Sequence, residues 1–243
     1  MMDAERTSET SVGQRLLRSA EVEAEANAVA MAVQQQLAAA LQGPIGSALA
    51  AGNVDSEAAP HTQALLGAEI PRRFIAVGAA LTTAYATLSE GDEVRTAGAL
   101  ICAERLLFPS DPLGIAAVRS AVGHALAAQP APLTQAGQPT TLDAAAAMQM
   151  RVAAGVERLE RAYLQATAHV EAAALASASW KQVTGGAGPS SGALYSHFGP
   201  FLEGMLRWTF YLEAAIAAVI RDDWADVGAA LIAARKVTGA QSY

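Results

Sequence analysis

Cysteine and histidine are scarce in this chain of 243 residues, which has one cysteine, Cys102, and four histidines. A single cysteine excludes a disulfide within the chain and a zinc site built from cysteines. The histidines are isolated, and none belongs to the Glu-x-x-His pair that ligates iron in ferritin-like bundles. The sequence therefore predicts no metal and no cofactor.

Positive charge is also in deficit, with 16 Lys and Arg against 23 Asp and Glu, a net charge of −7. Nucleic-acid-binding proteins usually carry a basic excess, so the composition disfavours a generic phosphate-binding surface. The glycine-rich loops that hold nucleotides are absent. The sequence identifies no reaction, and we predict a non-enzymatic protein. An enzyme whose site is assembled from residues far apart in sequence is an alternative.

Long apolar runs are missing as well. The longest, residues 210–220, is interrupted by Glu213 and is shorter than the roughly 20 residues that a bilayer crossing needs. The first ten residues contain neither an apolar stretch nor an amphipathic basic pattern. These features predict no membrane span and a cytoplasmic location.

Alanine, the best helix former, is the commonest residue, whereas aromatics make up 5% of the chain. This alanine-rich composition predicts an all-α protein, a multi-helix bundle with αα-hairpins and one long heptad-patterned helix. Prolines and glycine between residues 129 and 140 indicate a linker. The predicted regions are a flexible N-terminal tail at 1–10, a helical region at 11–128, the linker at 129–140 and a second helical region at 141–243.

Four helices are predicted before the linker. The first occupies residues 11–42, where apolar residues recur at four-residue spacing. Pro71 is placed at the start of the second helix, which ends near Gly91. Asp92 caps the third helix, and Asp111 caps a fourth that reaches about residue 128.

Residues 142–173 show the clearest pattern, with apolar and alanine side chains alternating three and four residues apart as in a coiled coil. This heptad stripe fits either the inner face of a bundle within the chain, which we favour, or a coiled coil between two chains.

Aromatic residues are concentrated after this stripe, since eight of the thirteen lie in residues 180–224. Such a cluster is either the best-packed part of the core, the reading we favour, or a surface for a partner. Together the two features suit a helical scaffold or interaction protein, such as a self-assembling homo-oligomeric structural component or an adaptor. The candidate interaction surface comprises Val152, Val156, Leu159, Tyr163, Trp180, Tyr195, Phe198, Phe201, Trp208, Phe210, Tyr211 and Trp224.

Residues 178–198 contain Gly188, Ser190, Gly192, Leu194, Tyr195, His197 and Phe198 in a Gly-x-Ser-x-Gly-x-Leu-Tyr-x-His-Phe pattern. This stretch resembles the helix-turn-helix of the tetracycline-repressor family. The resemblance implies a DNA-binding transcriptional regulator, which is the alternative to the scaffold. Lys181 is nearly the only cation close to the motif, so nucleic acid is not the expected partner.

One segment near the C-terminus repeats an earlier one. Asp223 is followed by Ala230-Leu231-Ile232, as Asp92 is followed at the same spacing by Ala99-Leu100-Ile101. Both segments resemble tetratricopeptide-like helical hairpins, and they predict two similar αα-hairpins.

Overall fold

A computed structural model describes residues 11–42, 60–107, 124, 127–128, 141–168 and 192–239. Within these residues the chain is all-α, a bundle of seven helices without a strand. The helices are α1 (Val12–Leu17), α2 (Ala20–Gln42), α3 (Pro60–Ser89), α4 (Glu93–Leu107), α5 (Thr141–Ala168), α6 (Gly192–Ile220) and α7 (Trp224–Gly239). The predicted tail at 1–10, the linker at 129–140 and most of the predicted fourth helix lie outside the described residues.

Two predicted helix bounds are wrong. The first helix is divided, because the Ser19 hydroxyl accepts a hydrogen bond from the Val22 backbone N–H (3.1 Å) and so caps a new helix. The second helix begins at Pro60 rather than Pro71. A proline inside a helix costs about 3 kcal/mol, and the good helix formers on both sides of Pro71 outweigh that cost.

The two predicted αα-hairpins, α3–α4 and α6–α7, turn in the same way. Gly91 and Asp222 adopt positive φ angles of 77° and 58° at matching positions. The next residues, Asp92 and Asp223, cap the following helices, each through Oδ1 accepting from a backbone N–H three residues later, at 3.0 and 3.2 Å. Each of these two aspartates also donates its own N–H to a carbonyl of the preceding helix at 3.0 Å. One turn geometry therefore closes both hairpins.

Each hairpin packs against one further helix, α2 on α4 and α5 on α7. The contact is close in both cases, because Gly98 of α4 lies against Ala26 of α2 and Gly155 of α5 lies against Ala229 of α7. We call α2–α4 the first unit and α5–α7 the second unit. The packing residues of α2 and α5 share one spacing: Val22, Ala26, Val29 and Val33, and Val152, Val156, Leu159 and Tyr163.

The two units exchange contacts, since α7 packs on α3 and α4 packs on α6. This reciprocal pattern is that of an approximate twofold relation between the units. The rings of Phe74 and Trp208 stack where α3 meets α6, with centroids 4.2 Å apart. Trp208 also donates its Nε1–H to the Ala234 carbonyl at 2.9 Å. Both units therefore contribute to one hydrophobic core.

Candidate functional site

The candidate interaction surface predicted from sequence lies largely in the interior wherever the structure describes it. Val152 and Trp224 are half-buried. Six of the other residues are buried: Val156, Leu159, Tyr163, Trp208, Phe210 and Tyr211. Trp180 lies outside the described residues. Tyr195, Phe198 and Phe201 lie on α6.

Three of these aromatic residues, Tyr163, Phe210 and Tyr211, pack against one another in the interior. The Tyr163 ring lies 5.8 Å from Phe210 and 6.1 Å from Tyr211, measured between centroids. Burial raises the pKa of Tyr211 to about 12. These side chains belong to the core of this fold.

A cavity of about 870 Å³ lies between α5 and α6, where the second unit is less tightly closed than the first. Helices α1 and α4 form further parts of its wall, and apolar side chains contribute much of the lining. Four arginines line it, namely Arg18, Arg151, Arg158 and Arg221. Four carboxylates line it as well, namely Glu104, Glu213, Asp223 and Asp226.

Two ion pairs stand at one end of this cavity. Arg151 Nη2 lies 3.4 Å from Asp223 Oδ1, and Arg221 Nη2 lies 3.3 Å from Asp226 Oδ2. The Asp226 backbone N–H donates to Asp223 Oδ1, so the two carboxylates are held one helical turn apart. Both guanidinium groups are more than half exposed, and such pairs contribute about 0–1 kcal/mol each to stability.

Glu213 differs from these exposed groups because its side chain is almost completely buried, at 2% exposure. It projects from α6 into the cavity wall, which Arg158 of α5 also lines. Placing a carboxylate in such a position is costly for folding unless charge and hydrogen bonding compensate it. Charged groups gathered at the wall of a concave site make that site a candidate functional site.

The first unit has no charged side chain at the positions that match Glu213 and Arg158. Glu213 of α6 corresponds to Thr82 of α3, counting back from the matching turns. Arg158 of α5 corresponds to Ala28 of α2, since each directly precedes a matching core residue, Leu159 or Val29. The three-helix unit therefore folds without a carboxylate or a guanidinium at these two places. The two charges are therefore particular to the second unit.

Helix α1 closes one side of the cavity by docking on the C-terminal end of α6. The Ser11 hydroxyl donates to the Ile220 carbonyl at 3.0 Å. Gly13 packs directly on the Val219 carbonyl, where a Cβ atom would overlap it. This contact directs Leu17 and Arg18 toward the cavity.

Sequence reasoning missed this site because its residues come from helices far apart in the chain. One signal was available, since Glu213 is the single charge in an otherwise apolar run. Arg158 gave no signal, because it stands among charges typical of a solvated helix face, and its inward direction depends on how α5 packs.

Other site types gain no support from the described part of the chain. It contains no group of three side chains suited to hold a metal ion. None of its helices combines the length and the apolar character required to cross a membrane. Of the residues resembling a helix-turn-helix, only 192–198 are described, and they form the first turns of α6, which continues to Ile220.

Comparison with known proteins adds no identification: no protein-family model matches the chain, and no curated protein or solved structure is significantly similar to it.

Proposed function

We propose that this protein binds a small molecule in the cavity between α5 and α6. The observation that carries the proposal is the charged wall of a cavity whose volume lies in the range of ligand pockets, about 300–1,000 Å³. The wall also combines apolar area with charged side chains, the kind of groups that orient a ligand in its site. The counterpart positions in the first unit support the same conclusion, because they lack the buried charge.

Filling the cavity tests this proposal. Ala217 lines the cavity, and Ala217→Trp places a large ring inside it. Ala86 is the matching residue of the first unit and is exposed, so Ala86→Trp is the control for adding a tryptophan at that helix position. A library of polar and amphipathic metabolites is screened by thermal shift, with circular dichroism to verify folding of each variant.

We expect at least one compound to raise the melting temperature of the unmodified chain and of Ala86→Trp but not of Ala217→Trp. The proposal fails if no compound stabilises the unmodified chain. It also fails if every stabilising compound acts equally on Ala217→Trp.

A scaffold or self-assembling protein is the second candidate. Met150 and Leu164 of α5 are exposed by 64% and 61% and lie on the side opposite its buried stripe. Exposed methionine and leucine are suited to helix packing between chains. The Glu157–Arg161 ion pair lies between them, with 3.7 Å between its charged atoms, so the patch is not continuous. The described residues add no observation in favour of DNA binding.

Light scattering across a wide concentration range tests self-association. A homo-oligomer that dissociates in the double variant Met150→Lys/Leu164→Lys supports the second candidate. Met31→Lys, which changes an equally exposed methionine on α2, is the control and is expected to leave the oligomer intact. A chain that is monomeric at every concentration excludes self-assembly through this face.

A further inference from the structure

We infer that the molecule held in the cavity is a small organic anion, with a carboxylate or phosphate head bound by Arg151 and Arg221 and an apolar body against α6. This inference rests on the proposed function, because it names the chemistry of the ligand in the same cavity.

The two arginines suit an oxyanion because a guanidinium stays charged and offers five N–H donors in a planar fork. Their aspartate contacts, at 3.4 and 3.3 Å, are longer than the roughly 2.7–2.9 Å of strong charge-assisted bonds. Each of these contacts uses a single nitrogen, Nη2. Within the described residues, the other donors of both groups have no acceptor and are available to a ligand.

The aspartates position the two arginines and balance part of their charge. Asp223 is held by its capping bond to the Asp226 N–H, so its carboxylate is a fixed anchor at the start of α7. Arg151 reaches this anchor from α5, and Arg221 reaches Asp226 from the turn after α6. Both guanidinium groups therefore lie beside the start of α7.

The apolar part of the ligand has a matching wall. Leu17 of α1, together with Ile216 and Ile220 of α6, lines the same cavity. Burying apolar surface stabilises a complex in proportion to the area removed from water, and this gain requires that part of the ligand is hydrocarbon. A fully hydrophilic ion would leave this wall hydrated.

The first unit carries charges of the opposite sign at the matching arginine positions. Arg151 corresponds to Glu21 and Arg221 to Glu90. At the turn the exchange is reciprocal, since the Glu90–Arg95 pair of the first unit becomes Arg221–Asp226 in the second. In the reversed pair the guanidinium lies at the C-terminal end of α6, beside the cavity. The change from glutamate in the first unit to Arg151 in the second makes the net charge of the site less negative.

Isothermal titration of the full chain with four probes of equal chain length tests the inference. Octanoate and octyl phosphate carry the two anionic heads, octylamine carries a cation and octanol is neutral. We expect at least one anionic probe to bind at least tenfold more tightly than octanol, and octylamine to bind no more tightly than octanol. The stronger of the two anions identifies the head as carboxylate or phosphate.

Variants locate the binding. Arg151→Gln/Arg221→Gln is expected to weaken binding of the anionic probe at least tenfold, since it removes the charge-assisted hydrogen bonds to the anionic head. Arg161→Gln, on the outward face of the same helix as Arg151, is the control and should leave affinity unchanged. Equal binding of octylamine and octanoate overturns the inference, and so does an anion affinity that the double variant leaves intact.

The outcomes separate this inference from the proposed function. If library compounds stabilise the chain through the cavity while neither anionic probe binds, the ligand class is wrong and the binding function stands. If no compound stabilises the unmodified chain more than it stabilises Ala217→Trp, the binding function itself is rejected.

Discussion

A methyl group added at Gly98 tests the close approach of α2 and α4. A Cβ atom there would lie 2.6 Å from Glu25 Cβ and 3.0 Å from the Ala26 backbone nitrogen, so the helices must separate to admit it. At Gly228 the same atom would lie 3.6 Å from Leu88 and 3.9 Å from Val152, which is ordinary contact. Gly98→Ala and Gly228→Ala therefore form a matched pair within equivalent helices of the two units.

The expected magnitudes follow from two effects. Alanine stabilises a helix interior over glycine by about 1 kcal/mol, and this gain applies to both variants. Overpacking costs about 1–3 kcal/mol and applies only at Gly98. The propensity gain cancels in the comparison, so Gly98→Ala should be less stable than Gly228→Ala by about 1–3 kcal/mol.

Urea unfolding followed by far-UV circular dichroism measures this difference as a change in the free energy of unfolding. The second unit offers an independent test, because a Cβ at Gly155 would lie 2.7 Å from Ala229 Cβ. Ala229→Gly should relieve the loss caused by Gly155→Ala, which a double-mutant cycle detects. Equal stability of Gly98→Ala and Gly228→Ala would refute the close packing described here.

Three further predictions follow from burial. Trp208→Ala should lower the free energy of unfolding, measured in urea, by about 3–5 kcal/mol. Trp224→Ala, at a half-buried position, should lower it clearly less. Equal losses would contradict the burial of Trp208 in the core. Because Tyr211 keeps its proton to a pKa of about 12 when folded but only to about 10 when unfolded, stability should fall as pH rises from 10 toward 12. Tyr211→Phe should reduce that fall, and tyrosinate absorbance should show a late ionisation that this substitution removes. Burial raises the pKa of the Cys102 thiol, so mass spectrometry should find iodoacetamide labelling slow in the native chain and fast in urea.

The fold was predictable where local chemistry determines it. Asp92 caps a helix because its side chain reaches a backbone N–H three residues on, and that signal can be read from the sequence alone. The similarity of the two hairpins was visible in the spacing of alanine, leucine and isoleucine after Asp92 and Asp223. The break at Ser19 was missed because its capping bond competes with a continuous apolar pattern that fits a single helix equally well.

The candidate site was predictable only in part. Which side of α5 faces inward follows from the spacing of Val156 and Leu159, but what lies beyond that face depends on packing. Arg158 lines the cavity only because α5 and α6 stand apart, a property of the assembled second unit. The concentration of aromatic rings was real, and Phe210 and Tyr211 form the interior of the molecule.

The stacked rings of Phe74 and Trp208 couple the substitutions that the two units can accept. Because the two rings are in direct contact where α3 meets α6, a size change on one side has to be compensated on the other side. Sequence drift should therefore occur in matched steps along this junction. Exposed positions such as Met31 and Met150 carry no such coupling among the described residues and are free to diverge one residue at a time.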